Sequence, residues 1–211
     1  MSQLTKKRLE ILLQKCETFD RPKVYLEQYT IPSDIAAEIL YLAYLKGDIE
    51  GKVVYDLGCG TGKLAIGCAL LKAKKVFGFE VDREALEVAR KNASNIGVDV
   101  NWIEGDIAEV EGDCDTVIQN PPFGVQREKA DRVFLEKALQ LGKVIYSMHK
   151  METREFVVGY VQKLGGETTD IMPAEFALPH SYEFHKRAMG KTKVDVYRIL
   201  SKSWMILKGG N

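Results

Sequence analysis

Apolar residues along this chain change their spacing several times, and each change marks a new element. Leu4, Ile11, Leu12 and Cys16 recur at helical spacing inside a charged segment, which predicts an amphipathic helix ending near Phe19. A second helix is expected after Pro32, with Ser33 as its N-cap, running to about Leu45 before Gly47 stops it. Then the pattern shortens. Residues 52–56 form a compact apolar run ending in a glycine-rich turn, and a helical stretch follows over 62–72. Residues 75–80 are another short run, followed by a helix over 83–96 for which Asp82 is the cap. Residues 98–103, 114–119 and 143–148 read as further strands. Helices are expected near 129–141, between the last two of these, and at about 152–164.

Strands alternating with helices of this length predict parallel βαβ units, and so an α/β fold with a doubly wound, mostly parallel sheet. The end of the chain breaks the alternation. Residues 167–177 and 191–203 are strand-like with no helix expected between them, and are read as an antiparallel pair that brings the sheet to seven strands. No repeat, low-complexity tract or linker composition interrupts the chain. One domain is therefore expected, with a helical segment over about 1–46 and the core over 47–211.

Composition narrows the class. With 45% hydrophobic and 28% charged residues, the 211-residue chain reads as an ordinary soluble globular protein. Its thirty Lys and Arg are balanced by thirty Asp and Glu, so any basic surface for a nucleic acid must be local. Cys16, Cys59, Cys68 and Cys114 form no C-x-x-C pair, which argues against a zinc site and for reduced thiols in the cytoplasm. Lys6, Lys7 and Arg8 precede no apolar h-region, so no signal peptide is expected. The apolar stretch 35–45 contains Glu38 and is far too short to span a bilayer.

The chemistry starts at Asp56-Leu57-Gly58-Cys59-Gly60-Thr61-Gly62, between an expected strand and an expected helix. Glycines there let the backbone turn tightly and approach a ligand, and the helix N-terminus offers unsatisfied N–H groups. A dinucleotide fingerprint fails because Lys63 occupies the third glycine's place; a P-loop fails at Leu57 and Leu64. The remaining D-x-G-x-G-x-G pattern resembles the first motif of class I methyltransferases. Glu80, 24 residues after Asp56 at the end of the next strand, can accept hydrogen bonds from both ribose hydroxyls of a nucleoside. Gly105-Asp106-Ile107 follows the third strand. In the methyltransferase pattern that acid takes the adenine amine of the cofactor, and the apolar residue packs on its ring.

Asn120-Pro121-Pro122-Phe123 directly follows the fourth strand, at the sheet edge where ligands bind in such folds. It resembles the N-P-P-[YFW] motif of methyltransferases acting on exocyclic amines and on glutamine side chains. An aromatic amine is a poor nucleophile because its lone pair is delocalised into the ring. Two acceptors, the Asn120 side-chain oxygen and the Pro121 carbonyl, favour a pyramidal nitrogen if preorganised around its N–H bonds. Pro121 and Pro122 restrict the backbone and hold those carbonyls. Phe123 offers a ring on which a flipped-out base can stack, worth roughly 1–3 kcal/mol.

Further segments carry a closer resemblance. Glu27-Gln28-Tyr29-Thr30-Ile31-Pro32, the 120–123 motif, Val144-Ile145-Tyr146-Ser147-Met148-His149-Lys150 and Leu178-Pro179-His180-Ser181-Tyr182-Glu183-Phe184-His185-Lys186 together resemble the methyltransferase-like protein 5 family. The resemblance covers nearly the whole chain. It implies an S-adenosylmethionine-dependent N6-adenine methyltransferase of small-subunit ribosomal RNA, with Gln28, Tyr29 and Thr30 folded over the cofactor. The cofactor-binding set it implies is completed by Asp56, Gly58, Cys59, Gly60, Gly62, Glu80, Val81, Asp106, Ile107 and Asn120. It also implies a small zinc-binding activator subunit, for which strand 98–103, at the sheet edge in the usual strand order, is the expected docking site, with Val98, Val100 and Trp102 on one face. Lys186, Arg187, Lys191 and Lys193, interleaved with Tyr182, Phe184 and two histidines, suit single-stranded nucleic acid. Two alternatives stand beside this: a protein glutamine N5-methyltransferase, and a noncatalytic scaffold that binds the cofactor only to fold.

Overall fold

A computed structural model describes residues 4–123, 130–177 and 191–202. Most of the basic, aromatic segment 178–193 lies outside the described residues. Thirteen elements follow one another: α1 (Lys6–Leu13), α2 (Ser33–Leu45), β1 (Val53–Leu57), α3 (Lys63–Leu70), β2 (Lys75–Glu80), α4 (Arg83–Ile96), β3 (Asn101–Glu104), β4 (Cys114–Gln119), α5 (Ala130–Leu141), β5 (Gly142–Lys150), α6 (Arg154–Lys163), β6 (Glu167–Ala177) and β7 (Lys191–Leu200). The seven strands form one sheet in the order β3-β2-β1-β4-β5-β7-β6. Only β7 runs against its neighbours, pairing antiparallel with both β5 and β6. Pro173 is tolerated in β6 because that strand is an edge and one of its sides needs no ladder donor.

Successive residues of the inner strands enter opposite cores, as the two-residue period of a strand requires. Val54, Ile118, Val144 and Tyr146 pack with Leu9, Leu13, Leu40 and Ile66 of α1–α3. Leu57, Val117, Ile145 and Tyr197 pack with Leu135 and Val157 of α5 and α6 on the other face. The N-terminal helices thus share one core with the sheet.

Several boundaries differ from expectation. Helix α1 ends at Leu13, short of Phe19, and its buried face is Leu9 and Leu13, with Ile11 exposed and Cys16 buried just beyond its end. The chain is captured just beyond: the Glu17 N–H donates to Asn92 Oδ1 at 2.8 Å, and Asn92 Nδ2 donates to the Glu17 and Thr61 carbonyls. Ser33 is the first residue of α2 and not its cap; Pro32 holds that position, and the Ser33 hydroxyl accepts from Lys63 instead. Strand β3 begins at Asn101, three residues later than expected, because the Val98 N–H is used by the Ala93 carbonyl in closing α4. The residues after β5 form a 3-10 turn, Met151–Thr153, before α6 starts at Arg154.

A buried ionic cluster pins α2 to the sheet. The Asp48 carboxylate accepts from the Tyr146 hydroxyl at 2.7 Å and from Arg198 Nε at 2.8 Å, while its carbonyl accepts from Thr116. Tyr146 and Arg198 are directly opposed across β5 and β7, so both reach the same carboxylate. The Arg198 and Asp48 side chains are 13% and 10% exposed. Arg198→Ala strands a buried charge and is expected to cost about 3–5 kcal/mol, against about 0.5–1.5 kcal/mol for Tyr146→Phe. Equilibrium denaturation of both variants measures the difference.

Candidate functional site

The sheet order reverses between β1 and β4, and the crevice at their carboxyl ends is where a doubly wound fold binds its ligand. The turn after β1 occupies one side. Gly58, Gly60 and Gly62 all take positive φ, at 68°, 53° and 85°. The Gly58 and Cys59 N–H groups both donate to the Phe79 carbonyl, and the Gly60 N–H donates to Glu80 Oε2 at 2.9 Å. The other Glu80 oxygen accepts from the Asp82 N–H at 3.0 Å. Burial raises the Glu80 carboxyl, and those two N–H donors pull it back. A carboxylate offers about four lone-pair sites, so two remain for hydroxyl donors.

Gly58 and Gly60 are bare for steric reasons. A Cβ there would come within 2.9 Å of the Phe134 ring and of the Phe19 ring respectively. Gly62 has a different part. It starts α3 in the left-handed conformation and lies under Trp102, whose ring would be 2.5 Å from a Cβ at either Gly62 or Gly78. Gly62 does not line the cleft. Trp102 is correspondingly spent inside the chain and does not offer its ring at the sheet edge.

Asp56, the last residue but one of β1, is buried. Its Oδ2 accepts from the Ala65 N–H at 2.9 Å, while Oδ1 has no hydrogen-bond partner among the described residues. Burial pushes the carboxyl up to about 7; the Ala65 N–H lowers it and the neighbouring Glu80 raises it further. Cys59 is also buried, and its thiol is pushed well above the ordinary range. Opposite, Val81 is exposed at the rim, Asp106 caps the short turn Ile107–Glu109 through the Ala108 N–H, and Ile107 is buried. All line the same cleft.

The segment between α1 and α2 closes the crevice. Tyr25, Leu26, Gln28, Tyr29 and Thr30 line it. Gln28 Nε2 donates to Asp82 Oδ2 at 2.7 Å, and Lys23 Nζ donates to Asp82 Oδ1 at 2.7 Å. Lys63, buried at the start of α3, donates to the Ile31 carbonyl at 2.9 Å and to Ser33. The Thr30 hydroxyl is buried without a hydrogen-bond partner among the described residues.

The Asn120 side chain reaches the cleft from the end of β4, and its Oδ1 accepts from the Tyr29 hydroxyl at 2.6 Å. Pro122 lines the cleft; Pro121 is buried behind it and, like Phe123, does not. The Phe123 ring packs on Tyr29 with centroids 5.4 Å apart, and Lys150 Nζ stands 6.0 Å from its centroid. Glu27, Lys23, Phe19 and Phe134 were missed from sequence. The left-handed φ of 53° at Glu27 and the long-range contacts of the others leave no local signature. His149 lies behind the site, buried and hydrogen-bonded to Ser147, and burial lowers it to about 4.

The methyltransferase small domain family matches residues 28–142. The chain is also 36% identical over 207 residues to the rRNA N(6)-adenosine-methyltransferase Mettl5 of Drosophila melanogaster, covering 94% of this chain and 97% of that one. The chain belongs to the METTL5 family of methyltransferases. An uncharacterised protein of Methanocaldococcus jannaschii is 45% identical over 208 residues, covering 93% of this chain and 94% of its own. The crystal structure of a candidate RNA methyltransferase from Pyrococcus horikoshii matches with a TM-score of 0.87 at 43% identity, over 95% of this chain and 98% of that one.

A class I methyltransferase takes its methyl group from S-adenosylmethionine, and the site fits that group. The orphaned Asp56 oxygen is matched by an ammonium and the Glu80 carboxylate by vicinal hydroxyls. A carboxyl that titrates near 7 must be ionised to pair with an ammonium. Cofactor affinity is therefore expected to be full above pH 7 and to fall as pH drops below it, by up to about tenfold per unit. Glu80 acts in the same direction, so Asp56→Asn isolates the effect: binding weakens and its pH slope flattens. Calorimetry between pH 5.5 and 8 reads both, with those limits set on the order of one unit either side of the transition.

Proposed function

We propose that this chain methylates the N6 amine of an adenine in RNA, and that the RNA is that of the small ribosomal subunit. The observation that carries the reading is the position of Asn120. Its carboxamide oxygen stands at the end of β4, in the same cleft as Asp56 and Glu80, where an acceptor for a target amine is needed beside the methyl donor. The likeness to proteins named as rRNA N(6)-adenosine-methyltransferases over nearly the whole chain supports an adenine amine over a glutamine amide.

In this reading Asp56 and Glu80 bind the ammonium and ribose of the cofactor, with Asp106, Val81 and Ile107 around its adenine. Gln28, Tyr29 and Thr30 cover it. Asn120 and the Pro121 carbonyl accept the two amine N–H bonds, and Phe123 borders the entering base. No strong base is required, because the amine becomes acidic only as the new C–N bond forms. The chain works in the cytoplasm, as its four free, buried cysteines suggest. Among the described residues, no helix is long and apolar enough to cross a membrane.

Labelled S-adenosylmethionine, incubated with total RNA and total protein, should place label in nuclease-sensitive material as N6-methyladenosine. Glu80→Ala removes two charge-assisted hydrogen bonds to the cofactor worth about 1.5–3 kcal/mol each, together with the acceptor of the Gly60 and Asp82 N–H groups, and should abolish measurable cofactor binding. Asn120→Ala should lower kcat on the order of a hundredfold with cofactor affinity preserved, as expected for a contact needed in the transition state. Label in protein, or undiminished turnover by Asn120→Ala, rejects the assignment.

The activator subunit belongs at the edge strand β3. It is four residues long, carries no lysine, and leaves Ile103 40% exposed. A small zinc-binding partner adding a strand there would give a one-to-one heterodimer. Asn101 is a poor place to test this, since its side chain already holds the Val76 carbonyl at 3.1 Å. Ile103→Lys leaves that contact intact and is expected to abolish co-purification; a heterodimer that survives it is joined elsewhere.

A further inference from the structure

We propose that Tyr29 and Glu27 are positioning residues that hold the 120–123 turn in its amine-accepting geometry. The inference rests on the reading above, in which Asn120 accepts the target amine. Two hydrogen bonds grip the turn at its two ends. The Tyr29 hydroxyl donates to Asn120 Oδ1 at 2.6 Å, and the Phe123 N–H donates to Glu27 Oε2 at 2.7 Å. The gripping residues stand two apart in sequence and reach partners 91 and 96 positions away. Between them, Gln28 faces the other way and donates to Asp82 at 2.7 Å. Asp82 in turn donates its N–H to Glu80 Oε1. Three consecutive residues therefore join the ribose end of the cleft to the amine acceptor.

A carboxamide turns about a broad, roughly two-fold torsion, and in half of its orientations it would present N–H groups to an incoming amine. The phenol restricts that rotation. It uses one lone pair of Oδ1 and leaves the second for the substrate N–H. Tyr29 is fixed for the purpose: its ring packs on those of Phe123 and Phe176, at 5.4 and 6.0 Å, against the main core. A hydroxyl meant to swing aside for substrate would not be carried on a ring packed against two others. Glu27 is equally committed, buried to 7% exposure and held in a left-handed conformation that a non-glycine residue adopts only at a cost.

Tyr29→Phe keeps the ring and deletes the hydroxyl. In steady-state transfer to RNA by the full chain, kcat should fall about tenfold, while the RNA KM and the calorimetric cofactor Kd stay within about twofold. Glu27→Ala should lower kcat similarly. Glu27→Gln, whose amide oxygen still accepts the Phe123 N–H, should restore most of it, which a loss of packing alone would not produce. Wild-type kcat in Tyr29→Phe overturns the proposal. So does a loss confined to cofactor Kd, which would reduce the segment to a cover over the cofactor. The underlying reading fails separately: wild-type protein that leaves RNA unmethylated, or Asn120→Ala at full turnover, overturns it before Tyr29 is considered.

Discussion

The N–H groups of Gly60 and Asp82 converge on the carboxylate of Glu80, and the geometry of the whole cleft follows from that contact. It fixes the turn after β1 against the end of β2, leaves the remaining carboxylate lone pairs facing the cleft, and sets Asp82 at the head of α4. Neither Gly58 nor Gly60 could carry a side chain, because the Phe134 and Phe19 rings, which also line the cleft, fill the space beside them. The turn is therefore held by one carboxylate and two rings.

Asp82 passes this order to the N-terminal segment. It caps α4 through the Glu84 N–H and also receives Lys23 and Gln28, which holds its carboxyl below the ordinary range despite its burial. Hydrogen bonds to a charged group contribute about 1.5–3 kcal/mol each, enough to offset the 1–3 kcal/mol typical of a strained left-handed residue such as Glu27. A segment with one 3-10 turn and no helix or strand of its own between Leu13 and Ser33 is thereby held across the crevice.

The charge distribution suits methyl transfer to an amine. Buried carboxyls, Asp56 and Glu80, stand where a cationic, hydroxylated cofactor would satisfy them. Burial raises the Cys59 and Cys68 thiols and keeps His149 neutral. On the proposed function, what the cleft offers the substrate is acceptors held in place.

The sheet, the glycine turn, the Asp82 cap and the site order Asp56, Glu80, Asp106, Asn120 were legible in the residues alone. Each depends on neighbours a few positions away: a two-residue period for a doubly buried strand, a positive φ that glycine adopts freely, a short acid before a helix. The end of α1, the late start of β3, the inward turn of Trp102 and the grip of Glu27 and Tyr29 on the 120–123 turn were not. All but the late start of β3, which the closing bond of α4 set locally, were decided by distant partners, such as Asn92 for Glu17 and Phe123 for Glu27, 75 and 96 positions away. Local sequence determines which backbone conformations are cheap. Only the packed structure determines which distant donor meets which acceptor, and the site is built from those meetings.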